Sequence, residues 1–166
     1  MKDSHEHEKK VIRFLESIEK ECTELWLLGD VFDFWFEYKR VIPKGFVRFL
    51  GKLAEFTEKG IKVHFFTGNH DMWINDYLEK ECGLILHKEK YSIFRLCGKK
   101  LLLGHGDGLD KKDKGYLFLR GLFHNRTAQF LFRLIHPDLG IMIADKWSSS
   151  SKKFSEKKQG DCPRKD

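Results

Sequence analysis

The sequence predicts an α/β fold, and three observations carry that reading. Residues 25–28 are a short apolar run that fits a strand covered on both faces, as in a parallel sheet, and residues 61–67 read as the next strand. A stretch of helical periodicity lies between them, at the spacing of a crossover between parallel strands. Each run ends in glycine followed by a polar side chain, Gly29-Asp30 and Gly68-Asn69. In open α/β sheets, ligands bind beyond the carboxyl ends of the strands.

The elements follow in order. Residues 4–21 read as a helix, because Val11, Leu15, Ile18 and Cys22 fall on one apolar stripe. After the first strand, Pro43 is placed to open a second helix, where its missing N–H costs nothing. Phe46, Leu50 and Leu53 form that helix's inner stripe and Gly60 ends it. Residues 72–82 read as a further short helix. The pattern then changes to short strands over 84–87, 91–96 and 100–103, with Cys97-Gly98-Lys99 as a tight turn between the last two. The last of these strands ends in Gly104-His105. Residues 114–147 are helical in texture and apolar on more than one side, divided by Pro137 and Gly140 into two or three helices. Residues 1–113 thus read as a core and 114–155 as a helical cap. Residues 156–166, rich in Lys, read as a poorly ordered tail.

Composition narrows the function classes. The 166 residues are 41% hydrophobic and 34% charged, a globular balance. No apolar run approaches the ~18 residues of a transmembrane helix, and residues 1–10 show no signal-peptide pattern. The four Cys are scattered with no CxxC pair, which argues against a zinc knuckle or disulfide framework and fits a reducing cytoplasm. Residues 1–109 carry 18 basic and 18 acidic side chains, whereas residues 110–166 carry 13 and 7. The whole net charge of +6 therefore sits in the Phe-rich last third, which suggests an anionic partner. That excess lies among apolar helices rather than on a groove-binding element, so no nucleic-acid partner is expected.

Three predicted strands end alike, in Gly29-Asp30, Gly68-Asn69 and Gly104-His105. A single such dipeptide is ordinarily a turn. Three at successive strand ends bring an Asp, an Asn and a His to one edge, a mixed O/N donor set suited to Mn²⁺, Fe²⁺ or Zn²⁺. Asp30 has two oxygens with which to bridge two metals, Asn69 a neutral carbonyl oxygen and His105 one ring nitrogen.

The fuller motifs are Gly29-Asp30-Val31-Phe32-Asp33, Gly68-Asn69-His70-Asp71 and Gly104-His105-Gly106-Asp107. They resemble three signature blocks of the calcineurin-like metallophosphoesterases. The run from Leu28 to Trp35, and His105-Gly106-Asp107 followed by Asp113 and Tyr116, resemble more narrowly the UDP-2,3-diacylglucosamine pyrophosphatases of lipid A synthesis. The resemblance implies an αββα sandwich with a helical cap insertion, two Mn²⁺ ions, and in-line attack on the substrate diphosphate to give UMP and 2,3-diacylglucosamine 1-phosphate. By the same resemblance Asp30 bridges the metals, and Asn69 and His105 bind the second one. Asp33, Asp71 and Asp107 orient ligands from behind or cap turns. His70 stands where many members of the superfamily place a catalytic His and where well-known diacylglucosamine pyrophosphatases carry Arg.

The cap then has a use. Its Phe118, Phe123, Phe130 and Phe132, with Trp35 from the body, are candidates to line an acyl pocket, each buried methylene contributing roughly 0.8 kcal/mol. Ordinary packing between cap helices is the competing reading for each Phe. Arg120, Arg126, Arg133 and Lys146 are candidates to face phosphate or an anionic membrane. Asn69, Asp113, Ser151, Ser155 and Lys158 fall where the family contacts sugar and phosphates. The superfamily's opening Asp-x-His and closing Gly-His-x-His blocks have no counterpart here, and His5-x-His7 reads as surface. The expectation is therefore a fragment truncated at both ends and inactive by itself. Its parent would be a cytoplasmic hydrolase, peripheral on the inner membrane, acting on a lipid-linked nucleotide. Two other outcomes stay open: a phosphoesterase for phosphomonoesters or nucleotides, and a non-catalytic chain that binds lipid or membrane.

Overall fold

The computed structural model of the chain describes residues 2–106, 121 and 125–143. Helix α1 (Lys2–Ile18) leads into strand β1 (Glu24–Leu27), then helix α2 (Val47–Glu58), strand β2 (Lys62–Phe66), helix α3 (Tyr77–Cys82) and strand β3 (Ile85–His87). Strands β1, β2 and β3 pair in parallel in that order, with Leu25 opposite Val63 and Phe65 opposite Leu86. The α/β expectation holds. Strands β4 (Ser92–Leu96) and β5 (Lys99–Leu103) form a separate antiparallel hairpin. Its two-residue loop, Cys97-Gly98, has positive φ at both positions, the mirror-image turn whose twist suits a hairpin.

Alternation along β2 builds the layers. Val63 and Phe65 point into a core with Leu15 of α1, Phe49, Leu50, Leu53 and Phe56 of α2, and Leu78 of α3. His64 and Phe66 lie on the other face, where Phe94 of β4 meets Trp26 at 4.6 Å and Phe66 at 6.1 Å between ring centres. The order is helices, parallel sheet, hairpin. Among the described residues nothing covers the outer face of the hairpin, where Ile93 and Leu102 pair across the strands and stay exposed.

Several element boundaries depart from the sequence reading. α2 begins at Val47 rather than at Pro43. Gly45 between them has φ of +109°, which no right-handed helix admits. The helix expected over 72–82 is only its second half, because Trp73 is drawn into a parallel bridge with Phe36. Val11 of the α1 stripe is exposed while Leu15 is buried. Beyond the hairpin, α4 (Arg126–Arg133) is capped by Asn125, whose side chain accepts from the N–H groups of Thr127 and Ala128. Residues 137–143 are helical too. Pro137 opens that segment as expected of a break, but Gly140 lies inside it. A Cβ there would meet the Tyr38 hydroxyl and the Phe132 ring, so the glycine serves close packing and not chain reversal.

Candidate metal centre

The site starts from two backbone segments in contact. Gly29, just past β1, has φ of +87°, and Asp30 follows at +52°, a left-handed conformation that Asp tolerates better than most residues. A Cβ on Gly29 would lie 2.7 Å from His105 Nδ1 and 2.8 Å from Gly68 N. A Cβ on Gly68 would fall 2.5 Å from Asp30 N. The glycines are therefore required by the approach of the strand ends, and this approach brings the polar residues together.

Asp30, Asn69 and His105 converge. His105 Nε2 lies 3.3 Å from Asp30 Oδ2 and 3.3 Å from Asn69 Oδ1. His105 Nδ1 lies 2.9 Å from the carbonyl oxygen of Leu28. That bond requires the proton on Nδ1, so the Nε2 lone pair faces two oxygens. A proton on Nε2 or a cation between the three atoms satisfies the two oxygens, and with Nε2 as an acceptor they form a donor set that fits a divalent metal with mixed O/N preference. No three His, Cys, Asp or Glu side chains cluster among the described residues; the third donor here is an amide. His105 arrives from the hairpin whose tight turn the sequence shows at residues 97–99, and not from the parallel sheet that carries Asp30 and Asn69.

Asp71 holds the two loops together from behind. It is fully buried, and its carboxylate accepts the N–H of Gly68 at 2.5 Å and that of Val31 at 2.9 Å. Burial pushes its carboxyl up, opposed by those N–H groups. The other oxygen of Asp30 accepts the His70 N–H at 2.9 Å. His70 Nδ1 lies 2.9 Å from the Asp33 carbonyl, so Asp33 serves through its main chain and His70 Nε2 is the nitrogen left for chemistry.

Trp35, expected to line an acyl pocket, is instead fully buried. It packs in the aromatic core against Phe32, Phe46 and Tyr77 because its loop turns inward beside the His70 main chain. Phe132 of α4 seats on Phe36 and Trp73, at 4.7 and 5.2 Å between ring centres, whereas Phe130 is 60% exposed. Asp107, Asp113, Ser151, Ser155 and Lys158 lie outside the described residues, as do Phe118, Arg120, Phe123, Lys146 and the side chain of Arg126. One buried acid was missed altogether. Glu37, 7% exposed, accepts the N–H groups of Asn75 and Asp76 at 2.7 and 3.2 Å. Its only trace in the sequence is a charge inside the aromatic run 34–38.

Comparison with known proteins agrees with the geometry. The family model for calcineurin-like phosphoesterases matches residues 3–161. The chain is 40% identical over 153 residues to a UDP-2,3-diacylglucosamine hydrolase of Porphyromonas gingivalis, covering 92% of this chain and 58% of that protein. It is 31% identical over 144 residues to the protein of the same name from Histophilus somni, covering 85% and 59%. With that of Haemophilus influenzae it shares 30% over 152 residues, covering 89% and 61%. The chain spans about three fifths of the length of these relatives. It belongs to the calcineurin-like phosphoesterase family.

Proposed function

We propose that this chain carries the central part of a Mn²⁺-dependent hydrolase that cleaves the diphosphate of UDP-2,3-diacylglucosamine, giving UMP and 2,3-diacylglucosamine 1-phosphate for lipid A synthesis. The observation that carries it is the convergence of Asp30, Asn69 and His105 at 3.3 Å on one His nitrogen, in a chain 40% identical to a protein of that name. Bound metal would polarise the phosphoryl oxygens and supply hydroxide near neutral pH.

The chain's own residues do the rest. Asp30 offers two carboxylate oxygens, one of them steadied by the His70 N–H. Asn69 contributes a neutral oxygen, which keeps the local negative charge low enough for a diphosphate to approach. His105 is locked in the right tautomer by Leu28. His70 has Nδ1 engaged by the Asp33 carbonyl, which leaves Nε2 as the nitrogen that meets phosphate or a leaving oxygen. Asp113, Ser151, Ser155 and Lys158 contact sugar and phosphates. The cap supplies the lipid end. Leu131, Leu134, Leu139, Met142 and Ile143 are exposed on 126–143, and apolar side chains exposed together mark an interaction surface. Among the described residues no helix is long and apolar enough to cross a membrane. On its exposed apolar side chains we assign contact with the cytoplasmic face of an anionic inner membrane to this cap.

The test uses a chain extended to the length of the relatives. With Mn²⁺ it should release UMP from UDP-2,3-diacylglucosamine. Chelation or Asp30→Ala should abolish release, and Asn69→Ala or His105→Ala should lower it by orders of magnitude. Turnover of simple phosphomonoesters at a comparable rate would refute the assignment and favour the broader phosphoesterase reading.

A further inference from the structure

Past the metal-facing residues, the loops after β1 and β2 keep running side by side. The Trp35 N–H donates to the His70 carbonyl at 3.0 Å, and the Glu37 N–H donates to the Trp73 carbonyl at 3.2 Å. Phe36 and Trp73 form a parallel bridge between these bonds. The pairing closes at Glu37, whose two carboxylate oxygens take the N–H groups of Asn75 and Asp76. Lys88 adds a bond from Nζ to the Asn75 carbonyl at 2.8 Å. At the near end the same two loops carry Asp30 and Asn69, joined through the His70 N–H. Glu37 and Asp71 are the buried carboxylates of the described residues. They stand at opposite ends of one backbone zipper.

We propose that Glu37 is a positioning residue for the metal centre. By fastening the far end of the zipper it fixes the register of loop 69–76 against loop 30–38. That register sets where Asn69 and the His70 N–H stand relative to Asp30. The same fastening holds Phe36 and Trp73 as one surface, and this surface is where Phe132 of the cap sits. Glu37 thus ties the phosphorus end of the site to the lipid end. A neutral amide in its place keeps one acceptor and turns an N–H₂ donor toward a backbone N–H, so one of the two terminal bonds opens. The near end of the zipper has bonds of its own, but they are few and lie in loops, where a lost end propagates.

The first arm of the test needs no metal. Amide hydrogen exchange followed by NMR on Glu37→Gln should show faster exchange at Asn75 and Asp76. The effect should spread to Trp35 and His70, where rates rise about tenfold, while β2 and α2 stay protected. Loss confined to Asn75 and Asp76 would make Glu37 a local cap and overturn the proposal.

The second arm rests on the metal reading. Residues that orient ligands from outside typically cost 10–100-fold in affinity, so Mn²⁺ binding by titration calorimetry should weaken about tenfold in Glu37→Gln. Glu37→Asp keeps the charge but shortens the reach, so it should weaken binding as Gln does. Retained affinity in Glu37→Asp would show a long-range charge effect instead and refute positioning. Leu15→Ala, in α1 and away from the site, should lower stability yet leave Mn²⁺ affinity unchanged. An equal loss there would reduce the Glu37 effect to general destabilisation and refute it too. If the wild type binds no Mn²⁺, the metal reading fails and the exchange arm alone decides the role of Glu37.

Discussion

Asp71→Asn is the sharpest perturbation of the loops that carry the site. The wild-type carboxylate, wholly buried, accepts two backbone N–H groups, from Gly68 and Val31. Asparagine keeps one acceptor oxygen and presents an N–H₂ donor to the other N–H. A buried donor left without a partner costs about 1–3 kcal/mol. Against that, the amide spares the desolvation that pushes the Asp71 carboxyl up, which recovers part of the loss. A net destabilisation of about 2 kcal/mol follows. For a chain of this length each kcal/mol moves the melting temperature by about 2–4 °C, so Tm should fall by about 4–8 °C. The loss should not be confined to stability, because Val31 and Gly68 are chain neighbours of Asp30 and Asn69. Mn²⁺ affinity should therefore fall in the same variant, read by calorimetry well below its Tm. A Tm within about 1 °C of wild type, together with unchanged Mn²⁺ affinity, would refute the clamp.

Gly68→Ala should abolish Mn²⁺ binding, because its Cβ falls 2.5 Å from Asp30 N and the strand ends must part. Gly51→Ala, in α2 with nothing within 4 Å of the new Cβ, should instead raise stability by about 1 kcal/mol, seen as a higher urea midpoint. His64, with Nδ1 2.9 Å from His87 Nε2, is held below its ordinary value by burial and then by His87. Its stabilising contribution is thus present above the unfolded value of about 6.5 and lost as pH falls toward the lowered folded one. The urea midpoint should drop between pH 7 and pH 5, and His64→Phe should flatten that slope. In the extended chain, His70→Ala should lower kcat about 10²–10³-fold with little change in KM, and a kinetically silent variant would reduce His70 to a turn residue.

What the sequence revealed, and what it hid, divides along a physical line. Asp30 and Asn69 were legible because each follows a glycine that the approach of the two strand ends demands, and that approach is the same event that makes the site; His105 follows Gly104, whose close neighbours are instead Lys90 and Tyr91. β1 and β2 were legible because each is mostly large apolar residues and ends in a glycine, although Glu24, Lys62 and His64 lie within them. The start of α2 was misplaced because Pro43 is compatible with a helix N-terminus, while the conformation of Gly45 that delays the helix is set by the loop around it. Trp35 was read as a ligand-facing aromatic because composition cannot say which way a loop turns. Glu37 was invisible because its partners are main-chain N–H groups almost forty residues away, and main-chain groups leave no mark in a sequence.

The placement of His105 shows how packing between layers completes what strand ends begin. Among the described residues β5 pairs only with β4, so no strand of the parallel sheet among them carries His105 to Asp30. The hairpin is docked on that sheet through Phe94, which meets Trp26, His87 and Phe66 at 4.6, 5.4 and 6.1 Å between ring centres. Trp26 in turn stacks on His64 at 3.8 Å. These contacts set the separation of the layers, and the chain leaving β5 then reaches the Leu28 carbonyl within one hydrogen bond. Leu28 is the residue before Gly29, so the end of β1 holds both the carboxylate and the anchor of the imidazole that faces it. A substitution that loosens this aromatic contact, such as Phe94→Ala, removes a ring from the layer interface at a typical core cost of about 3–5 kcal/mol. Because Phe94 is half-buried, the lower end applies. Mn²⁺ affinity should fall with it although no ligand has changed, and calorimetry on the folded variant reads this directly. Full affinity in a folded Phe94→Ala protein would mean that the Leu28 bond alone positions His105, and that the layers need not be in register for the site to form.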